Sequence, residues 1–439
     1  MCDREVTDMN KILKNKILLI AECTLRSVAM LCATGTLMQT FLSVVGFSES
    51  QIYLHATLCQ AANISSIVLF SHFADCKRPF LRASLIQLPH VILFLCFLPF
   101  CFRTEATLLA FILLVAVSLT QSVFNGLNTV MEYKLPYYVH RASDYGVVQA
   151  ILGVSIAVVT LGVGELLHFL EARYPYERLM LYAFLIAALF MAVATLFPLF
   201  FKALTRQEWK GDTSDEKEEK EEKEEKEENV SSTLAGEKKV SVLAMFRRPI
   251  FYLLIPANLL RGVASGIIVV FATVALSLGY DAATTTRMVS LAAIAHLLAC
   301  VLFGIASRYL SPRICILAGC LCYLMIPLCF LNSAALFLLA YAVIYFGYNV
   351  INVAVPTLLV YAVDIDIAGP YNAWRMILHN AGMMIATMIA TVLSPTALLF
   401  TALACGLFSG AYFTFLRILR KASPTFPKGR PHLLRHAKK

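Results

Sequence analysis

Two arginines, Arg26 and Arg261, stand inside long apolar stretches of the chain. Arg26 lies ten residues beyond Lys16, and Arg261 thirteen beyond Arg248. On a helix rising about 1.5 Å per residue, that is roughly 15–20 Å, close to the middle of a bilayer. An arginine there costs at least ~2.5–3.5 kcal/mol on insertion scales, so it should face a protein interior or a watery cavity. A guanidinium offers a planar fork of N–H donors suited to carboxylate or phosphate. The pair therefore predicts an anion site. Internal neutralisation is the competing expectation: Glu22 sits one helical turn before Arg26, whereas Arg261 has no acid on its own stretch.

Further polar residues share helix faces. Gln121, Asn125, Asn128 and Glu132 recur at i, i+4, i+7 and i+11, and so do Tyr341, Tyr345, Asn349 and Asn352. Each set lies along one side of a helix. In hydrocarbon such a stripe must face a cavity or bond to another helix. Asn125, Asn128, Tyr345, Asn349 and Asn352 are thus candidate substrate contacts, with helix–helix bonding as the alternative. His296 could carry a coupling proton or simply pack in the interior. Arg375 and His379 are one turn apart and follow Asp364 and Asp366, so an Arg375–Asp366 gate contact is conceivable. There is no Walker phosphate loop and no Ser/His/Asp order, and the Cys320-x-Cys322 pair lacks partner ligands. Neither an enzyme nor a cofactor or metal is expected.

These residues need elements to hold them, and the composition says which. Of 439 residues, 59% are hydrophobic and 15% charged. A soluble domain is about half apolar and a quarter charged, so a membrane protein is expected. Apolar stretches fall at roughly 17–45, 51–73, 81–101, 106–130, 145–169 and 178–201, then 249–277, 285–307, 312–330, 333–360, 371–393 and 396–419. Each is long enough for a spanning helix, and none alternates as a barrel strand would. Gly46-Phe47-Ser48 and Gly279-Tyr280-Asp281 read as a glycine stop followed by an N-cap. Thirty of the 37 Lys and Arg lie in the two termini and alternate connections. Four, Arg103, Arg173, Arg178 and Arg287, lie in the other connections. By the positive-inside rule both termini are cytoplasmic. The same distribution explains the +9 net charge without nucleic acid.

The 202–248 segment divides six spans from six. It repeats Glu-Glu-Lys from Glu216 to Glu228, with i,i+4 pairs such as Glu216/Lys220 and Glu219/Lys223. It reads as a solvated tether that cannot bury a core. The organisation expected is a six-helix bundle over 1–201, the charged linker over 202–248, a second six-helix bundle over 249–421 and a basic tail over 422–439. Deleting Glu216–Glu228 should leave expression and transport within a few-fold of the parent. Loss of folded protein on size exclusion would show instead that the segment is structural.

The two halves resemble each other. Leu25-Arg26-Ser27-Val28-Ala29 pairs with Leu260-Arg261-Gly262-Val263-Ala264, and Phe124-Asn125-x-x-Asn128 with Tyr348-Asn349-x-x-Asn352. Ser71-His72-Phe73-Ala74-Asp75-Cys76-Lys77-Arg78-Pro79 pairs with Gly304–Pro312. Twelve spans in parallel halves, with a long central loop, resemble the major facilitator superfamily. The Ser71–Pro79 loop looks like that family's signature between spans 2 and 3. Asp75 holds the acid position, Lys77 and Arg78 supply the basic charge, and Ser71 replaces the first glycine. The resemblance implies an all-α membrane fold of two pseudo-symmetric six-helix bundles. It also implies a central cavity lined by spans 1, 4, 7 and 10, with Asp75 and Arg78 acting in gating. An arginine on each of spans 1 and 7 looks like the pattern of some organophosphate exchangers in the superfamily.

The expected function is secondary transport of a small solute by alternating access in the plasma membrane, with a small organic anion favoured by the charges. Arg26 and Arg261 would bind it. Glu22, Asp75, Arg78, His296 and Arg375 would couple or gate, and a proton or cation could supply the driving force. The alternatives are an uncharged or amphiphilic solute such as a sugar, or a non-transporting receptor or scaffold on the same bundle.

Overall fold

The computed structural model describes residues 2–34, 36–69, 79–97, 99, 108–131, 145–171, 173–201, 249–306, 310–362 and 368–415. Among these residues the chain is helical apart from short turns, and it has no strand. The first half comprises α1 (Cys2–Thr34), α2 (Thr36–Val45), α3 (Glu49–Leu69), α4 (Pro79–Phe97), α5 (Leu108–Met131), α6 (Tyr145–Glu171) and α7 (Tyr176–Ala194). The second comprises α8 (Pro249–Val269), α9 (Phe271–Ser277), α10 (Ala282–Ala306), α11 (Pro312–Leu321), α12 (Ala334–Ala362), α13 (Ala368–Ala390) and α14 (Pro395–Phe415). Single 3₁₀ stretches follow α7 (Phe197–Phe200) and α11 (Cys322–Phe330). The tether, the C-terminal tail and the Asp75–Arg78 loop lie outside the described residues.

Hydrocarbon dictates this architecture, because a helix satisfies its own backbone where water cannot. Five helical segments are long and apolar enough to cross a membrane: Glu49–Leu69, Arg178–Phe200, Pro312–Phe330, Ala334–Val355 and Pro395–Phe415. The bent pair Leu254–Val269 and Phe271–Ser277 makes a sixth, with an angle of 55° at the break. Shorter apolar runs occupy α4, α5, α6 and α10. Large apolar side chains such as Leu69, Leu108, Phe408 and Phe415 point outward, as lipid contact requires.

The glycine stops form as the sequence predicts, and they do so twice. At Gly46 φ is 99°, and at Gly279 it is 90°. Both values suit a residue without Cβ. The Phe47 amide donates to the Leu42 carbonyl at 2.9 Å, and the Tyr280 amide to the Ala275 carbonyl at 3.1 Å, the same helix-ending bond in each half. Ser48 and Gln51 then form a reciprocal capping box for α3. Asp281 caps α10 by accepting the Thr284 amide at 2.9 Å. Hydrogen bonds from the Thr284 hydroxyl and amide hold the Asp281 carboxyl below the usual carboxylate range.

Each half has its own apolar core. One gathers Val28, Phe41, Phe94, Leu114 and Phe184, the other Leu254, Phe271, Ile316, Phe337 and Phe413. Tyr53 crosses into the second core, and Val289 into the first. The halves meet where α3 packs on α13 and α6 on α10. Thr57 and Thr387 share a 2.8 Å hydrogen bond on the first seam. On the second, Gly153 admits Cys300 and Gly164 admits Ser290, leaving no space for a Cβ.

Candidate functional site

The two arginines have different surroundings. Arg26 donates from Nη1 to Glu22 Oε1 at 2.7 Å, one turn away on α1. Its guanidinium carbon stands 5.5 Å from the centroid of the Phe124 ring on α5. Glu22 is itself buried, so the pair is a nearly neutral unit within the first half. Arg261 is 4% exposed and has no carboxylate partner among the described residues. Its Nε donates to His379 Nδ1 at 3.3 Å, from α8 to α13. Its Nη1 has no hydrogen-bond partner among the described residues.

The geometry fixes the state of His379. A guanidinium N–H can only donate, so Nδ1 must accept with its lone pair, and the ring proton sits on Nε2. Arg375, one turn before His379, is also buried, and its charge lies close enough to act on that of Arg261. Tyr348, Tyr323 and the Cys320 thiol also lie near Arg261. The Tyr371 hydroxyl and both ends of the Asn380 amide are also buried without a hydrogen-bond partner among the described residues. This corner of the second half therefore gathers two guanidinium groups and several unused donors.

Glycine brings these residues together. A Cβ on Gly262 would lie 2.9 Å from the Gly382 Cα and press on the His379 carbonyl oxygen. A Cβ on Gly266 would lie 2.8 Å from the Met383 Cα. Small residues let α8 and α13 approach backbone to backbone, as helices do in membranes. That approach places Arg261 against His379.

The remaining predicted contacts divide. Asn349 is engaged between helices: its Oδ1 meets His296 Nδ1 at 2.9 Å, and its Nδ2 donates to the Tyr345 carbonyl at 2.8 Å. His296 thus bridges α10 to α12. Tyr345 lies between Tyr341 and Tyr348, with both ring centroids 5.6 Å away. Asn352 is half-buried on the same helix. Asn125 and Asn128 belong to α5, but their side chains lie outside the described residues, as do Asp75, Arg78, Glu132 and Asp366. No group of three His, Cys, Asp or Glu that could hold a metal occurs among the described residues. Sequence reasoning noted His379 only as a neighbour of Arg375. It passed over His55, buried on α3 against Ser118 of α5.

The chain belongs to the Major Facilitator Superfamily, which it matches over residues 17–387. It is therefore an integral membrane transporter of a small solute, not an enzyme. Three solved structures share its fold. The nucleoside transporter NupG aligns with 91% of this chain and 99% of its own at 13% identity, with a TM-score of 0.62. A D-xylose-proton symporter aligns with 92% and 98% at 13% identity, with a TM-score of 0.63. The proton:xylose symporter XylE bound to 6-bromo-6-deoxy-D-glucose aligns with 92% and 96% at 13% identity, with a TM-score of 0.62. No curated protein matches the sequence.

Proposed function

We propose that the chain carries a small organic anion by alternating access, with Arg261 as its principal anchor and Arg375 and His379 beside it. The observation that carries this reading is the buried Arg261 guanidinium, which has an unused Nη1 and no neutralising acid among the described residues. An unpaired buried charge is costly, and an incoming carboxylate or phosphate would offset that cost. Driving force would come from an ion gradient or a counter-substrate. The two bundles would rock about the site, with both termini in the cytoplasm and the plasma membrane as the location. Asp75 and Arg78 would serve the rocking motion and not the binding.

One observation favours an uncharged solute: Glu22 already neutralises Arg26. Purified protein decides between the two. Ligand-dependent thermal stabilisation should single out carboxylates or phosphates over sugars and nucleosides, and proteoliposomes should take up the same compounds. Stabilisation by neutral solutes alone would overturn the anion reading, and absence of any flux would favour the receptor reading. Orientation has its own test. A cysteine placed in the 211–240 tether should resist impermeant thiol reagents in sealed cells, and labelling from outside would reverse the topology.

A further inference from the structure

Gln39 on α2 binds the break in the seventh span. In an unbroken helix the Val269 carbonyl would accept the Thr273 amide. Here the ladder is interrupted at Val270, where φ is −97° and ψ is 15°, and it resumes only when the Val274 amide donates to the Val270 carbonyl. The Val269 carbonyl instead accepts Gln39 Nε2 from the other half at 2.6 Å. Thr273 Oγ1 donates back to Gln39 Oε1 at 3.3 Å. Both ends of one amide are thus satisfied across the two halves, one by a backbone group that the bend has released. Gln39 is 5% exposed and Thr273 1%, so water does not compete for these groups.

Two further bonds join the halves at this end. Thr40 Oγ1 donates to Thr285 Oγ1 at 3.0 Å, and Ser277 Oγ to Glu49 Oε1 at 2.8 Å. We infer that Gln39 is a conformational latch: the Val269 carbonyl has two alternative donors, and each belongs to a different state of the carrier. With the Gly46/Gly279 end closed, the seventh span is bent and Gln39 is the donor. When that end parts, Gln39 withdraws, and the Thr273 amide takes the carbonyl as α8 and α9 straighten into one helix. The Val269 carbonyl keeps a donor in either state, so the exchange of donors makes the element bistable. Gln39 is a positioning residue that need not touch the solute. This inference stands independently of the solute's charge.

Hydrogen exchange on the full chain in nanodiscs tests the latch. Gln39→Met keeps the volume and removes both polar ends. It should speed amide exchange in 36–45 and 271–277 by roughly tenfold, while 334–345 stays as in the parent. Thr273→Val should have a smaller effect in the same two segments. It should add nothing in the Gln39→Met background, because the bond it removes is already gone. Unchanged exchange in both single variants would overturn the latch, and so would full additivity in the double variant. Were Gln39→Met to loosen the whole chain, Thr273→Val alone would decide: no acceleration at 36–45 would sink the proposal.

Discussion

Replacing Arg261 with glutamine is expected to weaken anion binding by roughly ten- to a hundredfold, the effect of losing one charge-assisted partner worth about 1.5–3 kcal/mol. Arg261→Lys should restore the charge without the planar fork and recover only part of the loss. Arg26→Gln tests the other half. Arg26 is bonded to Glu22 at 2.7 Å, so removing it strands a buried carboxylate, and the main expected loss is stability. Glu22→Gln should release Arg26 and tighten anion binding. Titrations of the four variants with a panel of carboxylates and phosphates, each after a melting curve, separate these outcomes. Intact anion binding in Arg261→Gln would remove Arg261 as the anchor.

Replacing Gly262 with valine should have the largest effect on folding. Its Cβ would stand 2.9 Å from the Gly382 Cα, against backbone that cannot rotate away as a side chain can. Overpacking costs about 1–3 kcal/mol where neighbours can adjust, and more is expected at a rigid helix crossing. Gly162 provides the contrast, because a Cβ there meets nothing within 4 Å. Gly162→Ala should be tolerated, and the gain in helix propensity is worth up to about 1 kcal/mol. Size exclusion and melting temperature read both variants. A monodisperse Gly262→Val protein that melts like the parent would show that α8 and α13 can separate without loss.

The sequence disclosed much of this architecture, for identifiable reasons. Spans are a local property, so hydropathy located them, and the glycine stops at Gly46 and Gly279 could be read from three residues each. The Glu22–Arg26 pair was legible because both members share one helix turn. The partner of Arg261 was not, since His379 lies 118 residues away in sequence and only packing brings it close. For the same reason Asn349 read as a candidate solute contact, and its bond to His296 was hidden. Gln39 carried no signal at all: its partner is a backbone carbonyl 230 residues away in sequence, freed by a bend that no residue type announces. A polar residue in an apolar stretch announces a polar contact but never names it.

The seat of Gly262 against Gly382 has a consequence for selectivity. Helices locked backbone to backbone would travel as one body in the proposed rocking of the two halves. Arg261 rides on one of them and Arg375 on the other, so the spacing of their backbone anchors would stay constant through that cycle. The second half would then act as a caliper of fixed setting. It would discriminate among solutes by the distance between their negatively charged atoms, and the moving half would sense only whether the jaw is filled.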